Sequence, residues 1–75
     1  MKIEILGSGC PNCKRLEENA RKAVQEKGAD AEIVKVEDIN EIVNYGVMST
    51  PAIVIDGEVK SYGKVADVEE IKQWL

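Results

Sequence analysis

Histidine is missing from this 75-residue chain, and cysteine and proline occur only twice each. A structural zinc site takes four ligands, drawn mainly from Cys and His. This chain could offer two thiolates, and carboxylates or a second copy would have to supply the rest. Long apolar runs are missing too: the longest, Ala52 to Ile55, is far too short to cross a bilayer. The N-terminus, Met1-Lys2-Ile3-Glu4, reaches polar, glycine-rich sequence by Gly7. No signal-peptide apolar region is therefore expected, and the cytoplasm is the expected location. Positive charge is in short supply as well. The 10 basic residues are outnumbered by 14 acidic ones, for a net charge of -4, which points away from nucleic acid and from an anionic membrane as partners.

What is present fits one folded domain spanning residues 1–75. Hydrophobic residues make up 44% of the chain and are spread along it, as in a globule rather than a disordered segment. Only about 60% of the unfolded surface can be buried at such lengths, so there is room for a single modest core.

The segment KIEIL at residues 2–6 alternates polar and apolar side chains until Leu6 and stops at Gly7-Ser8-Gly9, which reads as a strand running into a loop. The alternation sets Glu4 opposite the apolar side chains, so no buried carboxylate is assigned there. From Pro11 to Lys27, Leu16, Ala20, Ala23 and Val24 recur at helical spacing, and Gly28 stands where a C-terminal cap is expected. AEIVKV at 31–36 reads as a second strand. A helix capped at Asp38 follows, with Ile39, Ile42 and Val43 as its buried stripe and Tyr45-Gly46 as its packed end. PAIVID at 51–56 suits a central strand buried on both faces. Asp56-Gly57 is a two-residue hairpin signal leading to EVKSY at 58–62. Asp67 with Glu70 forms a capping box for a last helix that turns Val68, Ile71, Trp74 and Leu75 inward. The predicted order is βαβαββα: an α/β fold with a four-stranded mixed sheet, the first and last helices on one face and the middle helix on the other.

Both cysteines fall in one C-x-x-C, Cys10-Pro11-Asn12-Cys13, at the first strand-to-helix junction. The unpaired N–H groups and positive dipole end of a helix stabilise an anion, and a thiolate at Cys10 would be one. Pro11 suits the first helical position, where its fixed φ is already helical and its missing N–H is not needed. Cys13 returns to nearly the same side of the helix and, lying further in, is expected to be the less exposed sulfur. Lys14 and Arg15 add nearby positive charge. Such a pair supports thiol–disulfide exchange, with Cys10 attacking and Cys13 resolving the mixed disulfide. A purely structural clasp between such near neighbours closes too small a loop to stabilise much, and a reducing cytosol would open it. Two thiolates also suit a soft ion such as Cu(I). In its strand, Gly-x-x-Cys-x-x-Cys loop and helix, the opening resembles the small copper-chaperone domains; those end on a strand, whereas this chain ends on the helical pattern DVEEIKQWL. Binding or transfer of a soft metal is the alternative function, and a non-catalytic interaction domain is a third.

Ser49-Thr50-Pro51 opens the third strand, and a proline is compatible with a central strand only at its first residue. Taken together, GSGCPNC, STP and GKVADVEEIK resemble the thioredoxin superfamily, in particular its small archaeal and bacterial thioredoxin- or glutaredoxin-like redox proteins. The resemblance covers essentially the whole chain in element order. It implies a thioredoxin-like fold and a thiol:disulfide oxidoreductase acting on protein disulfides through a Cys10–Cys13 couple, without a bound cofactor or metal. It further implies that Cys10 is the nucleophile, that Cys13 is the resolving thiol, that Pro51 is cis, and that the Thr50 backbone pairs with substrate. Pro11 and Met48 are further candidate substrate-binding residues. Met48, Tyr62 and Val65 are expected either to surround the disulfide as an apolar docking patch or to fill the core, and Trp74 is expected in the core. The implied partners are protein disulfides and a thioredoxin-reductase-like or dithiol reductant, with no nucleic acid or membrane, acting on a monomer. The chain departs from the usual thioredoxin Trp-Cys-Gly-Pro-Cys in having Gly9 and Pro11-Asn12, and a proline after the first cysteine is more like glutaredoxin. The glutaredoxin Gly-Gly-x-x-Asp is one glycine short in Tyr62-Gly63-Lys64-Val65-Ala66-Asp67, which leaves glutathione use open.

Overall fold

The computed structural model describes residues 1–7 and 11–75. Its elements are β1 (Lys2–Leu6), α1 (Pro11–Lys27), β2 (Glu32–Val36), α2 (Ile39–Asn44), β3 (Ala52–Ile55), β4 (Glu58–Tyr62) and α3 (Val68–Trp74). The sheet runs β2-β1-β3-β4, with β1 parallel to β2 and antiparallel to β3, and β3 antiparallel to β4. This is the α/β, four-stranded mixed sheet anticipated above. A parallel pair needs a crossover, which α1 provides, whereas β3 and β4 need only a tight turn. Asp56 and Gly57 make that turn with φ of 51° and 83°, the paired positive values of a type I′ hairpin.

Side chains alternate across a strand, so one sheet serves two cores. On one face Ile3, Ile5, Ile53 and Ile55 meet Leu16, Ala20 and Ala23 of α1 and Ile71 of α3. The two alanines keep α1 close to the sheet, and Gly28 at φ 67° ends the helix where a left-handed residue is required. On the other face Leu6, Val36, Ala52 and Val54 meet Ile42 of α2 and Val47 beyond it. Burying each such aliphatic side chain contributes about 1.5–3 kcal/mol. The expected capping box is present: Glu70 N donates to Asp67 Oδ1 at 2.8 Å, and Asp67 N donates to Glu70 Oε1 at 3.5 Å.

Two expectations are corrected on the α2 side. Ile39 and Val43, read as part of a buried stripe, are 71% and 62% exposed, and Ile42 is the buried residue of this helix. A helix of six residues turns fewer than twice, so little more than one side chain can face the sheet. Glu4, read as facing away from the apolar side chains, is only 9% exposed. Alternation gave its direction correctly; α2 and the turn after it cover the face it points to.

Candidate functional site

The antiparallel register places Leu6 beside Ala52, so the end of β1 and the start of β3 share one edge of the sheet. Beyond the strands, Gly7 N donates to Val36 O at 3.0 Å and Gly63 N donates to Pro51 O at 3.0 Å. Backbone pairing thus gathers Gly7, Val36-Glu37, Thr50-Pro51 and Gly63 at one end, though they are scattered along the sequence. The first turn of α1 starts at the same end because it follows β1 directly.

Cys13 lies in that turn, 6% exposed and disulfide-bonded. The other cysteine of the chain, Cys10, is the expected nucleophile and lies outside the described residues. The Cys13 sulfur is seated on Gly7: a Cβ built there would overlap Sγ and would also approach Thr50 Cβ at 3.6 Å. Gly7 has φ 148°, a conformation that favours glycine, so both the backbone and the space select against a side chain. Pro11 is the exposed first residue of α1, and the bond between exposed Thr50 and buried Pro51 is cis. The proposed docking patch divides. Met48 is 93% and Tyr62 62% exposed, whereas Val65, like Trp74, packs against the α1/α3 core.

A cleft of about 20 Å³ opens beside Cys13, lined by Ile5, Gly7, Lys14, Lys35 and Glu37. That is room for about one water. Lys35 is drawn to Glu17 of α1 at 3.3 Å, and Glu17 also accepts from Arg21 at 2.8 Å. The Arg21 hydrogen bond, aided by Lys35, holds the Glu17 carboxyl below its usual range against a smaller opposing effect of burial. On its other side Glu37 borders a groove of about 230 Å³ that reaches Thr50 past Ile42, Val47 and Met48. A wider hollow of about 480 Å³ lies between α2 and the β1–β2 side of the sheet. There Tyr45 Oη donates to Glu4 Oε2 at 2.5 Å, and this hydrogen bond raises the phenol above its ordinary value. Among the described residues, no group of three or more His, Cys, Asp or Glu side chains is placed to hold a metal ion, and no helix is long and apolar enough to cross a membrane.

Three residues of this neighbourhood escaped the sequence reading. Glu4 had one usable signal: Leu6, which shares its strand face, is apolar, so that face also had to be covered. Gly7 was legible only as a loop residue, and Glu37 only as an acid before a helix cap.

The whole chain, residues 1–75, matches the family model described as a thioredoxin domain. A thioredoxin of Methanothermobacter thermautotrophicus is 49% identical over 75 residues, 100% of this chain and 97% of that protein. One of Methanocaldococcus jannaschii is 51% identical over 73 residues, 97% of this chain and 84% of that protein. A second thioredoxin of the same organism is 38% identical over 86 aligned positions, 100% of this chain and 96% of that protein.

Proposed function

This chain belongs to the thioredoxin-domain family as a thioredoxin-like thiol:disulfide oxidoreductase, and from that premise we propose that it reduces or exchanges protein disulfides through a Cys10–Cys13 couple. The Cys10 thiolate attacks one sulfur of the target disulfide. A Cys10–target bond forms, the target S–S bond breaks, and the displaced thiolate takes up a proton. Cys13 then loses its proton and attacks the Cys10 sulfur, releasing the second target thiol. Two electrons pass to the target, and the couple is left oxidised until a dithiol or reductase-type partner reduces it. The disulfide itself carries the electrons, so no bound cofactor is needed.

The observation that carries this reading is the seat of Cys13. Its sulfur is buried against Gly7, which suits a resolving thiol that reacts from within, while Cys10 meets the substrate. Thr50 presents backbone to the extended chain of the substrate, with Pro11 and Met48 as further substrate-binding residues. The protein works as a monomer in the cytoplasm.

The test is a titration of the oxidised protein against glutathione and dithiothreitol couples while free thiols are counted, with Cys10→Ser in parallel. A reversible two-electron transition that disappears in the variant supports the proposal. Thiols that stay reduced throughout, or tight metal binding that blocks oxidation, would overturn it.

A further inference from the structure

Met48 is 93% exposed, more than any other large hydrophobic side chain among the described residues. Single exposed apolar residues are ordinary, but this one is not on a loose end. Val47 before it is buried in the second core with Leu6, Val36 and Ile42, and Pro51 after it is buried just before β3. The main chain is thus anchored on both sides, and the thioether is held outward between two fixed points. Met48 also lines the groove that ends at Thr50, the residue proposed to meet substrate backbone.

A thioether takes one oxygen from a peroxide and becomes a sulfoxide, a polar and chiral group in place of a flexible apolar one. The sulfur of this chain lies in two cysteines and two methionines. Cys13 is disulfide-bonded and 6% exposed, and Met1 is 48% exposed, so among the described sulfur side chains Met48 is the most open to an oxidant. Oxidation of methionine usually harms a protein by disrupting its core. Met48 buries almost nothing, so the fold loses little and the change falls on the surface that a substrate meets.

We propose that Met48 is a site of reversible oxidation by peroxides, and that its sulfoxide slows the reaction with protein disulfides while leaving the fold and the Cys10–Cys13 chemistry intact. The inference rests on the thiol:disulfide reading above and adds a regulation of its substrate site. One peroxide oxygen passes to the methionine sulfur as the O–O bond breaks. The sulfur gives up two electrons, and the other oxygen leaves as water with both peroxide protons. The same oxidant takes two electrons from a reduced cysteine pair, giving the disulfide and water. A dithiol reverses that second step, whereas the sulfoxide needs a methionine sulfoxide reductase. Met48 therefore keeps a record of peroxide after the cysteines have been reset.

The test starts from protein with its cysteines in the disulfide, which is treated with hydrogen peroxide, freed of it and then reduced with dithiothreitol. Mass spectrometry of proteolytic peptides should find one added oxygen at Met48 well before Met1. For the disulfides of insulin, kcat/KM should fall about three- to tenfold, the scale of part of one apolar contact. Hydroxyethyl disulfide, which has no chain to lie against Met48, should react as before, and the urea midpoint should not move. Treatment with both methionine sulfoxide reductases should restore the insulin rate. Met48→Leu, compared only with itself, should give the same insulin rate before and after peroxide. The oxidation proposal fails, and the oxidoreductase reading stands, if Met48 is oxidised no faster than Met1 or if its sulfoxide leaves the insulin rate unchanged. It fails equally if both substrates slow alike. If the untreated protein does not reduce insulin, the protein-disulfide reading fails and this proposal goes with it.

Discussion

The sulfur of Cys13 rests where a side chain on Gly7 would begin, and Gly7 also has φ 148°. A side chain at position 7 therefore meets two separate costs, backbone strain and overpacking, each about 1–3 kcal/mol. Gly7→Ala should lose about 2–5 kcal/mol in urea unfolding. A loss below about 0.5 kcal/mol would show that the sulfur is not seated as described.

The two sides of α2 should differ sharply. Ile42 is buried and Ile39 and Val43 are exposed, so Ile42→Ala should cost about 2–4 kcal/mol and the other two alanine variants no more than about 0.5 kcal/mol each. Equal costs in thermal or urea unfolding would restore the buried stripe that the sequence suggested.

Tyr45 at the end of α2 is tied to Glu4 of β1 by its hydroxyl. Tyr45→Phe should cost about 1.5–3 kcal/mol near neutral pH, the range for a hydrogen bond to a charged group. The hydrogen bond to Glu4 raises the phenol above 10.0 in the folded protein. Its stabilising effect is therefore fully present below that value and lost as pH rises through the higher folded one. The stability gap between wild type and variant should stay level from neutral pH to about 9 and close at more alkaline pH, as followed by urea midpoints. A gap that widens there would reverse the sign.

Ser61 of β4 is 8% exposed, and its hydroxyl has no hydrogen-bond partner among the described residues. An unsatisfied buried hydroxyl costs about 1–3 kcal/mol. Because alanine is the weaker strand former, Ser61→Ala should gain about 0.5–1.5 kcal/mol. Destabilisation of that size by the variant would mean that the hydroxyl is satisfied.

Much of this was legible beforehand wherever a local rule operates. The helix of α1 was written in Leu16, Ala20 and Ala23, the I′ turn in Asp56-Gly57, and the cap of α3 in Asp67 and Glu70. The low exposure of Cys13 followed from its place inside the first helical turn. Such features depend on neighbours a few residues away, whereas the family resemblance joined two local motifs, Cys10-Pro11-Asn12-Cys13 and Ser49-Thr50-Pro51, that lie far apart in the chain.

Local order could not say what covers each face, nor which distant segments meet. Glu4 pointed away from Ile3 and Ile5, as alternation required, yet α2 buried it. Ile39 and Val43 had the spacing of a core stripe, but a helix this short turned only Ile42 to the sheet. Gly7, Glu37 and Thr50 are strangers in sequence, and strand register brings them to the end of the sheet where the Cys13 sulfur lies. The sequence by itself determined the elements, their order and the reactive residue types, because those rest on backbone preference and short-range periodicity. Only the tertiary structure decided burial on the second face, the seat of Cys13 and the open groove, because these depend on long-range packing.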